Sequence, residues 1–113
     1  MNEYAVEIAD TEDTKSQGLS GRTSMAKNKG MLFIFNESSY KYFWMKGMNF
    51  PLDFVWINGK KIVDIKKNVP KPDSRDLNTL TTFTAKFPFD KVVELNAGTV
   101  ESNNIKIGDI IKL

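Results

Sequence analysis

Tyr4, Val6 and Ile8 alternate with Ala5, Glu7 and Ala9, and strict alternation of this kind predicts a first strand with one buried face. Asp10 or Thr11 is placed to cap a short helix, with Glu12 and Asp13 suited to its first turn and Gly18 or Leu19 ending it. Residues 20–29 read as an irregular loop. The continuous apolar run over 30–35 (Gly-Met-Leu-Phe-Ile-Phe) predicts a central strand buried on both faces. A turn at 36–39 leads into an aromatic strand over 40–45. Phe50-Pro51-Leu52 interrupts that pattern and 53–57 resumes it. Asn58-Gly59 then predicts a type I′ turn, after which 60–67 returns with Ile62, Val63 and Ile65.

Residues 68–82, with Pro70, Pro72, Asp73, Ser74 and Asn78, form a long polar connection of the kind that often borders a site. Pro88 breaks any period over 83–89. A strand follows over 91–96, then Ala97-Gly98, and 105–109 reads as a short strand and tight turn leading into Ile110-Ile111. These elements predict a β-rich α+β domain, an antiparallel barrel-like sheet or curled sandwich with one short helix near the N-terminus. A length of 113 residues fits one domain over 1–113.

Composition narrows the chemistry. The chain has no cysteine and no histidine, which excludes a disulfide, a thiolate nucleophile, an imidazole base and any Cys- or His-ligated metal. The net charge is +2, and only Arg22 and Arg75 among the 16 basic residues carry guanidinium forks, so nucleic acid is not an expected partner. Charge is unevenly spread: residues 1–13 hold five acids and no base, whereas 58–71 hold five lysines against Asp64. The lysine run reads as a solvated hairpin face, or as an edge offered to a protein partner. No stretch reaches the ~18 apolar residues of a membrane span. No basic-then-apolar leader is expected either, because the first strand pattern begins by Tyr4.

Few side chains remain to carry function. Along 43–46, alternation directs Phe43 and Met45 to one face and Trp44 and Lys46 to the other. An exposed aromatic beside a cation suits a sugar ring or an anion; the plainer reading is a core indole beside a snorkelling lysine. Asp53 and Glu94 sit inside apolar runs, where a charge needs a partner. They fit structural pairing with Arg22 or Lys46, ligand binding, or an acid–base pair in a hydrolase. Met45 and Met48 would suit Cu(I), but thioethers more often fill gaps in a core. Asp73 and Asp76 are too sparse for a hard-metal site, so no cofactor and no metal are implied.

Several stretches together resemble one family. They are Gly18-Leu19 with Arg22, the run over 30–35, Phe43-Trp44-Met45-Lys46, Pro51-Leu52-Asp53, the 93–98 segment Val-Glu-Leu-Asn-Ala-Gly, and the 105–109 segment Ile-Lys-Ile-Gly-Asp. In order and spacing the chain is similar to DUF192 (also called UPF0127) over roughly residues 4–113. The resemblance implies a compact β-rich fold with a short helix, no established reaction and an extracytoplasmic home. It also marks Arg22, Trp44, Lys46, Asp53, Glu94 and Asp109 as motif positions. Gly47-Met48 stands where the family usually has Asn-Thr, so any ligand contact made by that amide and hydroxyl is lost here. The expected activity is therefore that of a small binding domain for a polar molecule, saccharide- or carboxylate-like. Arg22 would reach into its pocket and the 68–82 loop would border it.

Overall fold

In the computed structural model, which describes residues 5–112, the alternating segments form one five-stranded sheet. Its strands are β1 (Ala5–Ala9), β2 (Lys29–Ser39), β3 (Leu52–Asn58), β4 (Lys61–Val69) and β5 (Phe89–Asn96), in spatial order β1-β2-β5-β3-β4. The Tyr4 end of the expected first strand lies outside the described residues. β1 runs parallel to β2 because the connection through helix α1 (Glu12–Gln17) crosses over; the remaining pairings are antiparallel. The sheet is thus mixed and does not close, and a curled sandwich describes it better than a barrel. β5, rather than the run over 30–35, lies at its centre.

Local chemistry explains the ends of these elements. Thr11 caps α1: its hydroxyl accepts from the Thr14 amide at 3.1 Å while the Thr14 hydroxyl accepts from the Thr11 amide at 3.0 Å. The β3–β4 hairpin pairs Asn58 with Lys61, so its loop is Gly59-Lys60. Gly59 has φ +66° while Lys60, the second loop residue, is not left-handed, which matches a type II′ turn with glycine first, not the expected type I′ turn over Asn58-Gly59. The Asn58 side-chain amide instead donates to Ser38 Oγ and to the Pro88 carbonyl.

Alternation divides the core between the two faces. On one face Met31, Phe33, Leu52, Phe54, Trp56, Phe89 and Val92 pack beneath Leu19, Met45, Met48 and Ala85. On the other, Val55, Ile57, Ile62 and Leu95 pack under Val100 of a second short helix, α2 (Thr99–Ser102), which sequence patterning did not reveal. Phe54 and the partly buried Phe83 meet edge to face at 4.9 Å, and full burial of the Phe54 ring contributes roughly 1.5–3 kcal/mol. Met45 and Met48 belong to this core.

Two expected strands are absent. Residues 40–45 join the fold by a single bridge, Phe43 to Phe83, because β2 and β3 already engage both of their edges with other strands. The segment crosses the face of the sheet instead. Residues 105–109 form a turn, in which Asp109 accepts from the Lys106 amide at 2.9 Å, and Ile110 then bridges to Lys61. The 68–82 connection is shorter than predicted, since β4 continues to Val69 and a one-turn 3-10 helix occupies Leu77–Leu80.

Candidate functional site

Three carboxyls are buried in this sheet, and their surroundings differ. Asp53, fully buried on β3, accepts from the Asn68 amide at 2.8 Å and from the Val100 amide at 2.9 Å. Asn68 is left-handed, with φ 56°, where the β3–β4 register slips, so Asp53 holds that irregularity. Its second oxygen caps α2, whose own N-cap Gly98 has no side chain to do so. Asp64 is likewise satisfied by the amides of Ile65 and Lys86. Glu94 differs: only 7% exposed on β5, its carboxyl has no hydrogen bond or ion pair among the described residues. Burial alone pushes it up to about 8 from an ordinary 4.5, so at neutral pH it carries its proton.

Register determines where Glu94 points. It pairs with Met31 on one side and Phe54 on the other, both members of the larger core. Asp53 pairs with Leu95 and bonds toward α2, so it points the opposite way. The two carboxyls occupy opposite faces of one sheet and cannot flank one scissile bond, which removes the expected acid–base pair.

Beneath the 40–46 crossover lies a cavity of about 440 Å³, with Glu94 in its wall beside Phe33, Leu52 and Phe54. Trp44, Lys46, Tyr42, Lys41 and Lys15 line its outer part. Trp44 is 51% exposed and the Lys46 ammonium lies 5.2 Å from its ring centroid. Lys15 and Lys41 each approach the Phe35 ring at 4.9 Å. Lys15 also lies 3.7 Å from Glu12, an exposed acid at the rim. The arrangement offers several cations, aromatic faces and one deep protonated carboxyl. It can hold an anion or a hydroxylated ring while donating a hydrogen bond from below.

Three of the six sequence-marked residues, Trp44, Lys46 and Glu94, therefore come together, and three do not. Arg22 makes a two-pronged ion pair with Glu7 on β1 instead of reaching inward. Asp53 holds the register slip and α2, and Asp109 closes its turn. No residue of the 68–82 loop lines the cavity. Two lysines of the basic hairpin have partners inside the domain: Lys66 lies over Phe83 and Lys67 pairs with Glu101 at 2.9 Å. Sequence reading missed Lys15, Lys41 and Tyr42. The outward parity shared by Tyr42 and Trp44 could have found the tyrosine, but nothing local linked Lys15 to a site built from later strands.

Gly47 explains the departure after Lys46. It has φ +80°, and a Cβ there would meet the Ser20 side chain at 3.1 Å. This close approach lets the Gly21 amide donate to the Gly47 carbonyl at 2.9 Å and anchors the far end of the crossover.

Among the described residues, no group of three or more acids could hold a metal ion, and no helix is long and apolar enough to cross a membrane. The sequence profile of the DUF192 family, described as an uncharacterized ACR, matches residues 1–113. A crystal structure from Sinorhizobium meliloti, of a protein described as a candidate transcription regulator, has a TM-score of 0.85 and 34% identity, over 96% of this chain and 81% of that one. A second, of a protein of unknown function from Novosphingobium aromaticivorans, has a TM-score of 0.87 and 28% identity, over 97% and 75% of the two chains. No protein of curated function matches the sequence.

Proposed function

The chain belongs to the DUF192 family, and on that premise we propose that it is a small non-catalytic binding domain whose cavity takes a polar molecule, saccharide- or carboxylate-like. One observation carries the reading. Asp53 and Asp64 each accept two backbone amides, whereas Glu94 accepts none and faces a cavity. Among the described residues Glu94 therefore has no structural bond to make and opens on the cavity instead, which a binding role explains. Lys46 and Trp44 supply the charge and the stacking surface above it. The regulator description of the Sinorhizobium meliloti protein would bring nucleic acid as a partner. Against that, the net charge is only +2, and Arg22 and Arg75 are paired with Glu7 and Asp73.

Calorimetric titration with D-galacturonate, which carries both a sugar ring and a carboxylate, tests the reading. Saturable binding to the native chain is expected, lost in Trp44→Ala while that variant keeps a cooperative thermal transition. An unfolded Trp44→Ala would make the indole a structural element, and unchanged binding would move the site elsewhere.

A further inference from the structure

Residues 40–46 carry an unusual pattern. Lys41 is half-buried, Phe43 packs against Phe54 and Met45 is fully buried, as a crossover lying on a core requires. The outward positions of such a segment normally carry polar side chains. Here they are Tyr40, Tyr42 and Trp44, exposed by 52%, 71% and 51%. Three aromatics presented in succession form an apolar surface that asks for an occupant.

The segment beneath them is well anchored. The Phe43 and Phe83 backbones exchange hydrogen bonds at 2.8 and 2.9 Å, and the Thr84 hydroxyl donates to the Lys41 carbonyl at 2.6 Å. Outward side chains along an extended backbone recur every ~6.5 Å, so the three rings lie in a row on one side of the segment. Tyr42 and Trp44 also line the cavity, so the strip begins at its mouth and continues outward to Tyr40.

We propose that Tyr40, Tyr42 and Trp44 form a stacking platform along which an acidic oligosaccharide leaves the cavity, its terminal uronate held inside and its later rings laid on the tyrosines. This deepens the binding reading above and rests on it. Tyr and Trp faces suit the apolar face of a pyranose while leaving its hydroxyls wet. Lys46, just beyond Trp44 on the same outward side, supplies a cation for a carboxylate at the start of the strip. Glu94 donates a hydrogen bond at the inner end, a role suited to a sugar carboxylate or hydroxyl. Single-stranded nucleic acid also stacks on aromatics, but a polyphosphate calls for more unpaired cations than this face offers.

The test is titration of the native chain with galacturonate monomer, trimer and hexamer, with neutral maltohexaose and oligothymidylate as comparisons. Affinity should rise about tenfold or more from monomer to trimer, and maltohexaose should bind more weakly than the galacturonate hexamer. Tyr40→Ala, a change at a half-exposed side chain, should abolish the gain with length and leave the monomer unchanged. Equal affinity for monomer and trimer, or a trimer affinity insensitive to Tyr40→Ala and Tyr42→Ala, overturns the platform and leaves the cavity reading standing. Failure to bind any galacturonate overturns both. Oligothymidylate binding more tightly than the hexamer replaces the glycan with nucleic acid.

Discussion

Glu94→Gln isolates the one buried carboxyl that, among the described residues, the fold leaves unpartnered. The amide keeps the size of the protonated acid and removes its titration. An unfolded chain releases this proton near the ordinary 4.5, whereas the native chain holds it until about pH 8. Between those values the native state binds more protons than the unfolded state, so stability falls as pH rises. The contribution is complete below 4.5, where both states are protonated, and fully lost above about 8. At about 1.4 kcal/mol per pH unit the whole window amounts to at most roughly 5 kcal/mol, and water admitted to the cavity brings it down from there. A change of that size corresponds to about 15–20 °C in Tm for a domain of this length.

Urea denaturation followed by circular dichroism, at pH 4.5, about 6 and about 8, reads the effect. The native chain and Glu94→Gln should be nearly equal at the acid end and diverge steadily, with the variant the more stable at the alkaline end. Glu7, Asp73 and Glu101 are held below their ordinary values by hydrogen bonds from Arg22, Arg75 and Lys67 respectively. Their opposite contributions, present above their unfolded values and lost as pH falls, occur in both proteins and cancel in the difference. Parallel stability curves for the two proteins would refute the placement of Glu94 as a desolvated, unpartnered acid.

Asp53→Ala should cost about 2–4 kcal/mol in urea titration, because it strands the Asn68 and Val100 amides and uncaps α2. Gly47→Ala should cost about 1–2 kcal/mol by the same measurement, since it places a Cβ at positive φ against Ser20 and loosens the crossover over the cavity. Arg22→Gln removes an exposed ion pair with Glu7; stability should change by less than about 1 kcal/mol and galacturonate affinity not at all, as calorimetry would show.

Sequence pattern determined much of this protein. Alternation and the apolar run over 30–35 identified β3, β4, most of β5 and the first part of β2, and the Thr11 cap marked the short helix, because these signals are local. β2 instead runs through the expected turn at 36–39, and β1 buries Ala9 while Ile8 of its expected inner face is 48% exposed. The same parity argument placed Trp44 and Lys46 on one side of their segment and Phe43 and Met45 on the other. It was right even though 40–45 is not a strand, since any extended chain lying on a core alternates in this way. The oddness of Asp53 and Glu94 was also legible from the apolar residues beside them.

Only the tertiary structure decided what those carboxyls do. Residues 53 and 94 become neighbours across β3 and β5, and whether they share a face depends on register. A shift of one residue would have brought them together. Instead Leu95 stands opposite Asp53, sending Asp53 toward the amides of Asn68 and Val100 and Glu94 toward the cavity. Strand order had the same effect on the rest of the site. With β5 inserted between β2 and β3, residues 40–46 found both edges of their flanking strands occupied and crossed the sheet face instead, bringing Tyr42, Trp44 and Lys46 to a cavity whose floor is set by distant strands. Long-range pairing of this kind leaves no trace in local hydrophobic period, which is why most strands were readable from the chain, whereas only half of the marked site residues were.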